Sequence, residues 1–143
     1  MNSPCLATLS AFGLLLCGCN DPNMMDLQSG GKLHEGKNLT IASGQLTKVD
    51  WFYSTYLDCT ETPGVTGRVI NEPAHGTVRL EHSQDFPKFD ADNPHSRCNS
   101  QRVPVWIVSY SPSQDFVGMD AFSYDKTFAD GQAIHVDVNV NVR

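Results

Sequence analysis

The run that most constrains this chain is its last one. Ile134, Val136, Val138, Val140 and Val142 alternate with His135, Asp137, Asn139 and Asn141. Successive side chains of a strand point to opposite faces, so the run makes a strand with one dry and one wet face. A helix would scatter the same apolar residues around its circumference. The pattern extends upstream through residues 103–142, VPVWIVSYSPSQDFVGMDAFSYDKTFADGQAIHVDVNVNV, where turn residues separate three apolar runs. The last third of the chain therefore reads as β scaffold.

Earlier segments read the same way. Leu39 and Ile41 form a short first strand, ended by Ser43-Gly44-Gln45. Residues 46–57 are rich in β-formers. Val49, Trp51, Tyr53 and Thr55 share one face there, Phe52 and Tyr56 the other. Two aromatic faces imply burial on both sides or a face that binds something. Thr62-Pro63-Gly64 is a turn, 65–70 a strand, 71–76 a turn, and 76–81 a strand with Val78 and Leu80 on one face. Residues 82–101 show no period and contain Pro87 and Pro94, so they read as a loop of unusual length. Long loops often carry function.

At 143 residues the chain has room for one domain plus a targeting segment. Its 40% hydrophobic and 18% charged residues are those of a folded globular protein. A formal charge of −6 disfavours nucleic acid as a partner, because like charges repel. There is no P-loop, dinucleotide fingerprint or G-x-S-x-G elbow, and nothing selects two of the scattered carboxylates as an acid/base pair. The expectation is a non-catalytic protein.

Residues 5–17, CLATLSAFGLLLC, are uncharged and too short to span a bilayer, which takes about 20 residues. They suit the hydrophobic region of a signal peptide. Leu16-Cys17-Gly18-Cys19 resembles a bacterial lipobox, which implies a signal peptide over 1–18 and lipidation of Cys19. The implied location is the outer membrane, anchored in the lipid bilayer, since Asn20 rather than Asp follows the cysteine. The alternative is an unacylated, secreted or periplasmic protein. Residues 19–37 read as a flexible tether and 38–143 as the domain. In an exported chain Cys59 and Cys98 are expected to form a disulfide. It would tie the end of the aromatic strand to the end of the long loop and stabilise by roughly 4 kcal/mol in the chain-entropy model. Two cysteines without C-x-x-C spacing do not suggest a thiolate metal site.

Pro73-Ala74-His75-Gly76-Thr77-Val78 resembles the P-x-H-G-T-V signature of bacterial cadherin-like and Ig-like tandem domains. Tyr110-Ser111-Pro112 and the run Phe116-Val117-Gly118-Met119-Asp120-Ala121-Phe122-Ser123-Tyr124 are similar to the family's Y-x-P and F-x-G-x-D-x-F-x-Y. The resemblance covers about residues 40–142. It implies an all-β fold: an Ig-like/cadherin-like antiparallel β-sandwich of about seven strands. Asp120 is expected to cap the turn at Gly118, and Tyr124 echoes an immunoglobulin tyrosine corner, in which a Tyr hydroxyl bonds backbone. The immunoglobulin cysteine position, two residues on, is Lys126. The family usually carries many copies; this chain has one, with a long loop added.

Cadherin-like domains commonly bind calcium, so Asp90, Asp92 and Asn93 are candidate ligands, with Asp85 as a further oxygen donor, since calcium takes six to eight oxygens. The histidines show no metal-site spacing; His82 and His95 flank the loop and could meet only if it folds back. The chain is therefore expected to be an exported envelope module with a structural role or a protein- or glycan-binding one. The alternative is a small envelope metal-binding protein or enzyme using the loop 82–101.

Overall fold

The computed structural model describes residues 32–143. They form β1 (Lys32–Ile41), β2 (Thr47–Phe52), β3 (Thr66–Asn71), β4 (Gly76–Asp85), β5 (Val103–Pro112), β6 (Gly118–Thr127) and β7 (Ala133–Val142). A short 3-10 helix spans Ser96–Ser100. One sheet has the order β1-β7-β6-β3, the other β2-β5-β4. The chain is an all-β sandwich of seven strands among the described residues. Cys19 and the expected signal peptide lie outside them.

The alternating valines behave as their period demands. Val136, Val138, Val140 and Val142 are buried, while Asp137, Asn139 and Asn141 are exposed. They meet Phe122 and Tyr124 of β6 and Val78, Val108 and Tyr110 of the opposite sheet in the main core. All pairings between strands are antiparallel except one: β1 runs parallel to β7, from Lys32↔Ala133 to Ile41↔Val142.

Two boundaries differ from the sequence reading. Lys32–Lys37, which read as tether, are the first six residues of β1. Their pattern is broken because Glu35 and Lys37 share the inward register of Leu39 and Ile41. β4 continues to Asp85, so the first residues of the supposed loop 82–101 are strand, paired with Val103–Trp106. The remainder is not a free loop either. It folds over the outer face of the smaller sheet and builds a satellite core: Cys98, Val103 and Val105 are buried there, with Trp51, Tyr53, Cys59, Phe89 and Ile107 packed around them. The aromatic strand β2 is thus covered on both sides, Phe52 by the main core and Trp51 by the satellite one.

The expected Cys59–Cys98 disulfide is present, with Cα atoms 5.5 Å apart. It pins the covering segment to the turn after β2. Cys59 takes a left-handed conformation (φ 69°), unusual for a non-glycine residue. The turn is held by Tyr56 N donating to Thr60 O (2.9 Å) and by Asp58 accepting from Thr60.

Candidate functional site

The family-like motifs converge on one carboxylate. Asp120 accepts hydrogen bonds from Ala74 N (2.9 Å), His75 N (3.0 Å), Ala121 N (2.9 Å) and the Tyr110 hydroxyl (2.7 Å). Burial raises its pKa, but these donors outweigh burial and hold the carboxyl below its ordinary value. The His75 ring stacks on Phe116 at 4.2 Å. Gly76 is required by close approach: a Cβ there would lie 2.6 Å from the Tyr110 ring and 2.7 Å from Ser111 O. Asp120 therefore caps the turn before β4, not the turn at Gly118 as expected. This knot has a structural job and leaves no acceptor idle for a ligand.

A second buried carboxylate lies toward the other end of β6. Asp50, on β2, accepts from its neighbour's Trp51 N (2.9 Å) and from the Tyr124 hydroxyl (2.5 Å). Lys126 Nζ lies 3.4 Å and Lys37 Nζ 3.5 Å away; both also pair with Glu35, at 2.7 and 2.8 Å. Burial raises the Glu35 pKa, but the two ammoniums outweigh it and hold the carboxyl below the ordinary range. Burial lowers the Lys37 pKa, but the pairing with Glu35 and Asp50 outweighs it and raises it overall. Tyr124 binds a side chain, so the backbone-bonded tyrosine corner is not formed. An inward charge on the edge strand β2, Asp50, supplies the acceptor, and Glu35 and Lys37 on the edge strand β1 complete the charged network. Such charges also guard exposed edges against pairing with other chains.

Beside this network an open pocket of about 370 Å³ is lined by Asp50, Trp51, Phe52, Tyr53, Lys88, Lys126 and Phe128. That volume sits at the low end for ligand sites, roughly 300–1,000 Å³, and suits one small unit of a ligand. Its parts come from three places: the end of β2, the end of β6 with the residue after it, and the covering segment. Lys88 is placed with care. Its backbone N–H donates to the Tyr53 hydroxyl (2.6 Å), and its ammonium lies over the Trp51 ring, 5.3 Å from the centroid. The next residue, Phe89, is held by both ends of the Asn99 amide, at 2.9 and 2.8 Å, and Asn99 sits in the 3-10 helix beside Cys98. The disulfide thus fixes the helix, the helix fixes Phe89, and Phe89 fixes Lys88.

The residues singled out as calcium ligands sit elsewhere. Asp90, Asp92 and Asn93 lie in a tight turn in which Asn93 N donates to Asp90 O (3.0 Å) and the Asn93 side chain accepts from His95 N (2.9 Å). Asp85 pairs with Lys48 at 2.6 Å. His82 contacts Glu61 (2.7 Å), whereas His95 lies 3.4 Å from the Thr55 hydroxyl, so the two histidines have different partners. Among the described residues no three His, Cys, Asp or Glu side chains are gathered as metal ligands. The pocket includes Trp51, Phe52 and Tyr53 of the aromatic strand and Lys88 of the long loop. Asp50, Lys126 and Phe128 carry no sequence signal for it, because their roles arise only from the sheets' stacking.

No family model matches the chain, and no curated protein matches it. Among solved structures it is similar to amebosin, with 12% identity, 77% of this chain and 96% of that one covered, and a TM-score of 0.44. It is also similar to the 2,6-sialyltransferase of Vibrionaceae Photobacterium sp. JT-ISH-224, solved with CMP and lactose, with 10% identity and a TM-score of 0.35. That match covers 80% of this chain but only 18% of the enzyme. Likenesses this distant carry no argument about activity.

Proposed function

We propose that this protein is a non-catalytic, exported Ig-like/cadherin-like module, lipid-anchored through Cys19 at the outer membrane, that binds an envelope glycan through the pocket beside β2. The observation that carries the reading is the covering segment. A disulfide, a satellite core and the Asn99–Phe89 clamp hold it so that Lys88 faces an aromatic wall. Aromatic faces with a few fixed polar groups are the usual make-up of a small-ligand site. The family type is supported by the strand order: with strands lettered A to G, β2-β5-β4 is B-E-D and β7-β6-β3 is G-F-C, the immunoglobulin grouping, with the first strand moved beside the last. Lys126, at the immunoglobulin cysteine position, reaches Asp50 on the other sheet and links the layers by charge instead of a disulfide. The non-catalytic reading is supported by the two buried aspartates, whose acceptors are taken up by the scaffold.

The test is co-sedimentation of the full chain with purified envelope polysaccharide. Wild type is expected to sediment with it, and Trp51→Ala, checked for folding by circular dichroism, to remain in solution. Equal sedimentation of both would sink the binding site. For the anchor, Cys19→Ser is expected to move the protein from the membrane to the soluble fraction; unchanged retention counts against acylation.

A further inference from the structure

The donors and acceptors around this pocket are unbalanced. Four lysines are ion-paired: Lys32 with Asp125, Lys37 with Glu35 and Asp50, Lys48 with Asp85, and Lys126 with Glu35 and Asp50. Lys88 has no carboxylate partner among the described residues, and it lines the pocket. Tyr53 accepts from Lys88 N, which leaves its own O–H proton without an acceptor among the described residues. Lys126 has three N–H groups and two carboxylate partners. Asp50, the one acidic lining residue, is already occupied by Trp51 N and Tyr124 and flanked by two ammoniums. The pocket therefore offers donors and no vacant carboxylate acceptor. Its two ammoniums against one carboxylate leave a single positive excess.

We infer that the pocket takes an acidic sugar, a uronic-acid unit of an envelope polysaccharide, an inference that rests on the glycan-binding reading above. The carboxylate of such a unit matches the single charge excess, and charge-assisted hydrogen bonds from Lys88 and Tyr53 would hold it. The Trp51 ring already carries the Lys48 and Lys88 ammoniums, 4.5 and 5.3 Å from its centroid, so the C–H face of the sugar ring would meet the apolar ring of Phe128. The chain as a whole is acidic, so the site works by local charge: the ligand meets Lys88 where no carboxylate competes for it. The bond to the anion would be partly exposed, so it weakens as salt rises.

The experiment titrates the full chain with tetragalacturonate, with a neutral galactose tetrasaccharide and with sodium acetate, following tryptophan fluorescence. Tetragalacturonate is expected to give a saturable change, at least tenfold tighter than either control, weakening as NaCl rises. Lys88→Glu should lose at least tenfold in affinity, with Lys88→Gln intermediate and the melting temperature of both unchanged. Equal binding of the neutral and acidic oligosaccharides overturns the acidic-sugar inference and leaves glycan binding standing. Equal binding of acetate overturns the sugar part. Wild-type affinity in Lys88→Glu overturns the role of Lys88. No binding of either oligosaccharide overturns the inference and, where polysaccharide co-sedimentation also fails, the glycan reading with it.

Discussion

The sandwich buries an aspartate at each end of β6's inner face, and the two are held by opposite means. Asp120 is gripped by three backbone amides and a tyrosine. Asp50 is met by one amide, a tyrosine and two lysines that also serve Glu35. Amides cannot move away when the carboxylate is lost; lysines can swing toward another acid or water. The rigid end is a fastening. The adaptable end lies beside the pocket, where a ligand can be accommodated.

The contrast is broken or sharpened most directly at Asp120. Asp120→Ala strands buried donors and is expected to cost about 3–5 kcal/mol, since each unpaired buried group costs about 1–3 kcal/mol. Urea unfolding measures it, and a loss below about 1 kcal/mol would show that the knot is not a fastening. Next comes the staple. Cys59→Ser with Cys98→Ser should cost about 2–4 kcal/mol. It should also weaken tetragalacturonate binding, because Lys88 loses its support. Retained affinity at reduced stability would separate the disulfide from the pocket.

Asp50→Ala is expected to cost less than Asp120→Ala, about 1–3 kcal/mol, because Lys126 and Lys37 keep Glu35. Equal losses for the two variants would erase the distinction between rigid and adaptable partners. The smallest effect is that of acid. The folded-state pKa values of Asp120 and Glu35 lie below their ordinary 3.8 and 4.5. Their contribution is therefore complete above those ordinary values and lost as pH falls through the folded ones. The urea midpoint should hold from pH 7 to about pH 5 and fall below about pH 4. The fall should be shallower in Asp120→Asn, which has no carboxylate to protonate there; equal slopes would remove Asp120 from the acid response.

Much of the scaffold was legible because it obeys a period. The valines of β7, the Val78/Leu80 face and the motif around Asp120 could be placed from sequence. So could the disulfide, on the expectation that a signal peptide and lipidation set the three cysteines at 5, 17 and 19 aside. The pocket end was less so. Glu35, Lys37, Asp50 and Lys126 put charge at inward positions, which breaks the alternation that identifies strands, and so Lys32–Lys37 read as tether. The covering segment has no period because its contacts are to a sheet's outer face rather than along its own length. Asp120 reads as a cap from sequence, but its partners on the turn before β4 become visible only when β6 and that turn meet. The charged seam is built from residues far apart in sequence, and no local pattern announces it.

The parallel pairing of β1 with β7 has a mechanical consequence. Lys32 and Val142 stand at opposite ends of neighbouring strands joined over their whole length, a span of about 30 Å at a rise of about 3.3 Å per residue. Tension applied between those two points runs along the strands. It loads the whole β1–β7 ladder in shear, so its bonds must fail together and not one by one. A domain strung this way resists being pulled apart lengthwise, whatever holds it at either end.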